Sequence, residues 1–105
     1  MTFRMFGTAS AALLLCAAQA GAQDVTAGET LYKESCRNCH GPTAKGLASF
    51  PKLTGQTEAY LVERLEQYRA GEQIGPNTAL MAPNAVDLTD EEIAGIAAYI
   101  VANFD

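Results

Sequence analysis

The chain reads as a small all-α domain, and three features predict it. Apolar residues recur at helical spacing in "TEAYLVERLEQYRAG" and again in "LTDEEIAGIAAYIVANF". Two Thr-x-x-Glu stretches, Thr26 to Glu29 and Thr89 to Glu92, have the capping-box spacing that starts helices. The stretches between, "GPTAKGLASFPKLTGQ" and "GEQIGPNTALMAPNAVD", are rich in Gly, Pro, Asn and Thr and lack strand alternation. A length of 105 residues leaves room for one such domain.

The front of the chain is expected to lie outside it. "MTFRMFGTASAALLLCAAQAGAQ" opens with one basic residue, Arg4, runs uncharged from Met5 to Ala18 and ends in overlapping small-x-small sites, "AQA" and "AGA". This is the pattern of a secretory signal peptide, so residues 1–22 are expected to be cleaved and 23–105 to form the mature domain. The apolar stretch is shorter than the roughly 20 residues that span a bilayer. Cys16 within it follows Leu15, where a lipid-anchored protein would carry a small residue. Export implies a periplasmic, oxidising setting in which Cys36 and Cys39 are the remaining thiols. Loss of Arg4 leaves six Lys and Arg against twelve Asp and Glu, a balance of −6. Such a protein is poorly suited to nucleic acid or to anionic membranes, which attract positive surface.

In the expected mature chain the first helix starts at Thr26, continues through Leu31 and Tyr32 to about Ser35, and leads into the cysteines. The second runs from about Thr57 to Ala70, with Tyr60, Leu61, Leu65 and Tyr68 on one apolar stripe and Arg64 and Arg69 facing water. The last opens at Thr89 with acidic residues in its first turn, where they complement the helix dipole. Its residues Ile93, Ile96, Ala97 and Ile100 share one buried face. The two long loops are unusual for so small a domain and suggest chain wrapped around something. A chain of this size buries only about 60% of its unfolded surface, so three helices alone make a thin core.

The motif "CRNCH", Cys36 to His40, has several readings. A structural zinc site needs four ligands, and the mature chain holds two Cys and one His, with Cys39 and His40 adjacent. A thioredoxin-type dithiol belongs at the end of a strand in an alternating strand-helix pattern, which is not visible. A plain disulfide stays open but leaves His40 unexplained. Covalent haem uses all three residues: two thiols one helical turn apart can form thioethers to its two vinyl groups, and the imidazole that follows can reach the iron. Cys-x-x-Cys-His is the attachment signature of c-type haem. His40 is also the only histidine of the chain.

Met81 would be the one methionine of the mature chain and stands in "ALMAPNA", which reads as an irregular loop. It can be an ordinary core-filling Met or an axial thioether. Ligation by His40 and Met81 would close both axial positions and raise the potential, which points to one-electron transfer.

These segments together resemble the class I cytochromes c, in particular the short bacterial periplasmic type and one half of the dihaem periplasmic cytochromes c. The resemblance covers essentially all of the mature chain and implies a small fold of three main helices with long loops around one covalent haem. It pairs Gly28 and Tyr32 on the first helix with Ile96 and Tyr99 on the last. It makes Cys36 and Cys39 the haem thioethers and His40 and Met81 the axial iron ligands. From "FPKLTGQ" it makes the Pro51 carbonyl the acceptor of the His40 ring proton. From "MAPNAV" it gives Asn84 a hydrogen bond to the Met81 sulfur, and it places Gln56 and Tyr60 near the haem.

The function so implied is electron transfer in the periplasm, without catalysis, between donor and acceptor redox proteins. The acidic helices suit partners with a basic docking surface, and Ala82 and Pro83 would allow close, transient contact beside Met81. A haem subunit fixed in a larger dehydrogenase or oxidase complex, for example one oxidising a sulfur compound, is the alternative. A ligand-binding or peroxide-active haem protein with Met81 displaced is a third.

Overall fold

The computed structural model describes residue 2 and residues 24–104; the rest of the signal segment, with Cys16 and its cut after Ala22, lies outside the described residues. The described part is helical. Helix α1, Val25–Leu31, passes without interruption through a π-helical stretch, Tyr32–Cys36, into α2, Arg37–His40. Helices α3, Glu58–Arg69, α4, Thr78–Ala85, and α5, Asp90–Asn103, follow. Among the described residues there is no strand, and one isolated bridge joins Leu47 to Phe50.

The first helix starts slightly earlier than expected, and its cap is Asp24, whose Oδ1 accepts from Ala27 N at 2.9 Å. Asp outranks Thr as an N-cap, so Thr26 falls inside the helix and the Thr26–Glu29 box does not form. The helical run also extends beyond Ser35, so that the whole cysteine motif is helical. Gly28, Tyr32, Cys36 and His40, spaced four apart, are all buried. In a pure α-helix each such step drifts about 40° around the axis, which would turn His40 well away from Gly28. The wider π turn between Tyr32 and Cys36 takes up that drift and keeps the four on one side.

Helix α3 begins after Thr57, whose hydroxyl accepts from Tyr60 N, and α5 begins with the expected box, Thr89 to Glu92, closed in both directions. The stretch around Met81, expected as a loop, is helix α4 with Pro83 inside it. Ala79 to Ala82 are good helix formers, and a proline in the last turn forfeits the amide bond to a carbonyl at exposed Ala79, where water can substitute. The expected three helices therefore become four helical runs. The long stretch 41–57 does remain without helix or strand.

Helices α1 and α5 cross at Gly28 and Gly95. A Cβ on Gly28 would run into the Gly95 carbonyl oxygen, and one on Gly95 would lie 2.7 Å from Asp24 O. Beside this crossing Tyr32, Tyr99 and Phe104 form an aromatic triangle with centroids 5.4 to 5.7 Å apart. Ile96, Ala97, Ile100 and Leu61 complete the core. Arg69, expected in water, instead pairs with Asp90 at 2.7 Å and donates to Leu88 O at 3.2 Å, joining the end of α3 to the start of α5.

Gly28→Ala tests the crossing. In an open helix the change should stabilise by up to about 1 kcal/mol through propensity. Here we expect a net loss of about 3 kcal/mol, because the methyl meets backbone and cannot be accommodated by a side-chain shift. Chemical denaturation of the two proteins measures it.

Candidate functional site

One pocket of about 530 Å³ collects the residues singled out above. Cys36, Cys39 and His40 line it from the first helical run, Pro51 from the long loop and Met81 and Asn84 from α4. Leu61 and Leu65 of α3 and Ile96 and Ile100 of α5 supply apolar wall. The volume lies in the range of cofactor sites, and the lining has their usual composition, mostly apolar with a few polar groups.

The loop that leaves the motif is tied down. Gly41, with φ of 91°, turns the chain out of α2, and Gly46 N then donates to His40 O at 2.7 Å. Leu53 N donates to Ala44 O at 2.8 Å, which draws the next part of the loop back over the motif. Pro51 is thereby placed so that its carbonyl lies 2.7 Å from His40 Nδ1. The ring is 7% exposed, and a donor at Nδ1 leaves Nε2 as the basic nitrogen available to a metal.

On the opposite side Thr78 fixes the start of α4. Its buried hydroxyl accepts from Ile74 N at 3.0 Å and Gly75 N at 2.8 Å and donates to Gly75 O at 2.8 Å. Met81 follows one turn later. Asn84 Nδ2 donates to Leu80 O at 3.1 Å, one turn back on its own helix. Sequence reasoning overlooked Thr78, which stands in a stretch without periodicity. It also overlooked Gly95, for which a glycine inside a strongly helical segment was an available signal.

Burial, and then the neighbouring Cys39, push the Cys36 thiol up to about 11. Cys36 is therefore held as the thiol near neutral pH and is not itself a nucleophile for disulfide exchange. The chemistry of the donors fits haem instead. Two thiols, an imidazole with its second nitrogen free and a thioether line one largely apolar pocket.

An all-α domain whose incomplete core opens on these four donors defines a c-type haem protein. The comparisons agree: the cytochrome c family model matches residues 25–103. The chain is 48% identical over 79 residues to cytochrome c-554(548) of Halomonas halodenitrificans, covering 74% of this chain and 94% of that protein. It is 39% identical over 87 residues to cytochrome c-554(547) of Halothiobacillus neapolitanus, covering 75% and 96%. It is 35% identical over 104 residues to a protein named thiosulfate dehydrogenase electron acceptor from Stutzerimonas stutzeri, covering 90% of this chain and 45% of that one. The chain belongs to the cytochrome c family, as a small class I member with covalent haem c and a role in electron transfer.

Tyr32 links the core to this site through its hydroxyl, which donates to Gly41 O at 2.6 Å. Burial foremost, with Cys36 next, pushes its phenol up to about 12 from an ordinary 10.0. The fold thus favours the protonated phenol, a stabilisation complete below pH 10 and lost as pH rises toward 12. Tyr32→Phe should lower stability at neutral pH by about 1 kcal/mol and flatten the decline across that alkaline window. Denaturant midpoints collected across it check both.

Proposed function

We propose that the chain is a periplasmic carrier of single electrons, exported by a signal in residues 1–22 that leaves the domain 23–105. Cys36 and Cys39 hold the haem as thioethers, and His40 and Met81 are its axial ligands. The observation that carries this reading is the convergence of all four side chains on one pocket, with Nδ1 of His40 already engaged by Pro51. The haem supplies a reversible one-electron couple at its iron. The protein's part is to hold, tune and bury it.

Each residue contributes a physical constraint. Pro51 O fixes the plane and tautomer of the imidazole and raises its basicity. Thr78 sets where Met81 starts from, and Asn84, beside Met81, is the group we assign to the sulfur in the loaded protein. Leu61, Leu65, Ile96 and Ile100 exclude water, so that charge at the centre is set by the protein rather than by solvent. Two protein axial ligands leave no position for substrate, which makes this a carrier and not an enzyme. Among the described residues no helix is long and apolar enough to cross a membrane. Exposed Leu80 and Pro83 on α4, and Val86 just after it, allow transient apolar contact beside Met81, and the acidic exterior favours donors and acceptors with basic faces.

The second reading, a haem subunit of a dehydrogenase, is favoured by one observation, the name of the Stutzerimonas stutzeri relative. A lasting complex would co-purify and bury well over about 1,200 Å², beyond weak redox encounters.

The visible spectrum of the exported protein tests the main reading. We expect haem c bands and, in the oxidised state, the weak absorption near the red end that reports an iron–sulfur(Met) bond. Met81→Ala should abolish the weak band and allow the reduced protein to bind carbon monoxide under native conditions. Carbon monoxide binding by the unaltered protein would turn the assignment toward a ligand-binding haem protein. With a redox partner, the transfer rate should fall as salt is added; a salt-independent rate would remove the acidic surface from docking.

A further inference from the structure

Met81 stands on a part of the chain that the rest of the protein holds at few points. From Ala70 to Thr89 the buried residues are Thr78 and Ala85. Helix α4 packs on α3, and Met81 and Leu80 line the pocket rather than the core. The hydrogen bonds that residues 73–87 make, those of the Thr78 turn and of α4 included, all stay within 73–88. One bond leads out. Leu88 O accepts from Arg69 Nη1 at 3.2 Å, across 19 residues, while Nη2 of the same guanidinium pairs with Asp90 at 2.7 Å. Arg69 is the last residue of α3 and Asp90 the first of α5, so a single side chain closes the neck of the whole excursion. Asp90 is 78% exposed, and water screens its pair with Arg69. Leu88 is half-buried, and its carbonyl would lose a charged donor, so this bond is the stronger tie.

We propose that Arg69 is a positioning residue for Met81: it closes residues 70–88 against the end of α3 and so holds the sixth ligand at the pocket. The assignment rests on the reading of His40 and Met81 as axial ligands and adds to it. Once the two contacts of Arg69 break, no hydrogen bond or ion pair ties 73–88 to the rest of the described chain. The segment can then move as one piece, because the Thr78 turn and α4 keep their own bonds. Gly71, with φ of 79° and nothing within 4 Å of where a Cβ would stand, is an unobstructed hinge at one end. At the other end Leu88 packs on the core, which limits the movement to the stretch before it. Arg69 does not line the pocket. It acts on the centre through Met81 alone, by setting how often the axial position is free.

Binding of imidazole to the exported, haem-loaded protein in its oxidised state, followed by loss of the weak red-end band, tests this. Imidazole enters only where Met81 has left, so its apparent affinity measures the open fraction. Arg69→Met should raise that affinity about tenfold, the worth of one charge-assisted hydrogen bond. Arg69→Gln, which keeps a polar side chain but loses the charge, should do the same and carries the test with equal force if Arg69→Met takes up no haem. Arg69→Lys should restore part of the closure. Lys33→Met removes the other ion pair, on the first helical run and away from the pocket, and should leave the affinity unchanged. A residue that only stabilised the fold would lower the denaturation midpoint and leave imidazole binding where it was. If the Arg69 variants and Lys33→Met bind imidazole alike, the assignment of Arg69 is overturned while the carrier reading stands. An unaltered protein that holds haem but lacks the red-end band would overturn Met81 as ligand, and this inference with it.

Discussion

The core and one side of the site are placed by the contact of two helix backbones, α1 and α5, at Gly28 and Gly95. Two glycines remove the side chains that would hold the axes apart, and the closeness is then stabilised laterally by Tyr32, Tyr99 and Phe104. Since α1 continues through the π stretch into α2, its anchorage at Gly28 also orients Cys36 and His40. The same face of α5 that receives α1 leads on to Ile96 and Ile100, which form a wall of the pocket. One crossing therefore builds both the core and one side of the site.

The other side is built by chain with little regular structure, and it depends on individual hydrogen bonds. Stretch 41–57 is folded back by Gly46 N to His40 O and Leu53 N to Ala44 O, while Thr78 closes the turn ahead of α4. These bonds fix carbonyl and side-chain positions but bury little apolar area. A domain this small lies near the limit of independent stability, and a large apolar prosthetic group supplies the contacts that its own side chains do not. Cofactor and core are in this sense one object, which accounts for long loops in so short a chain.

Charge is distributed in a way that burial alone would not produce. Acidic residues dominate the chain, and α5 carries three of them in its first turn, where the helix dipole favours them. None lines the pocket. The negative charge is thus kept on the exterior, where it is suited to steering a protein partner over distance.

By itself the sequence determined the helical class, the haem motif and its histidine, and the α5 capping box, because these are written in local spacing: a period near four, three chemical residues in five, a Thr three before a Glu. It also located the aromatic pair Tyr32 and Tyr99 and the pairing of Pro51 with His40, though through family resemblance and not through periodicity. The tertiary structure alone decided the rest. Asp24 displaced Thr26 as the cap, an outcome of competition between two candidates two residues apart. The Met81 stretch became helix α4 despite Pro83, since a proline in a last turn loses one amide bond that solvent replaces. Gly95 became the partner of Gly28, and Arg64, still in water, came to stand at the rim of the pocket, because both depend on what another segment places opposite them. Spacing along the chain specifies the face a residue occupies; what that face meets is specified by packing.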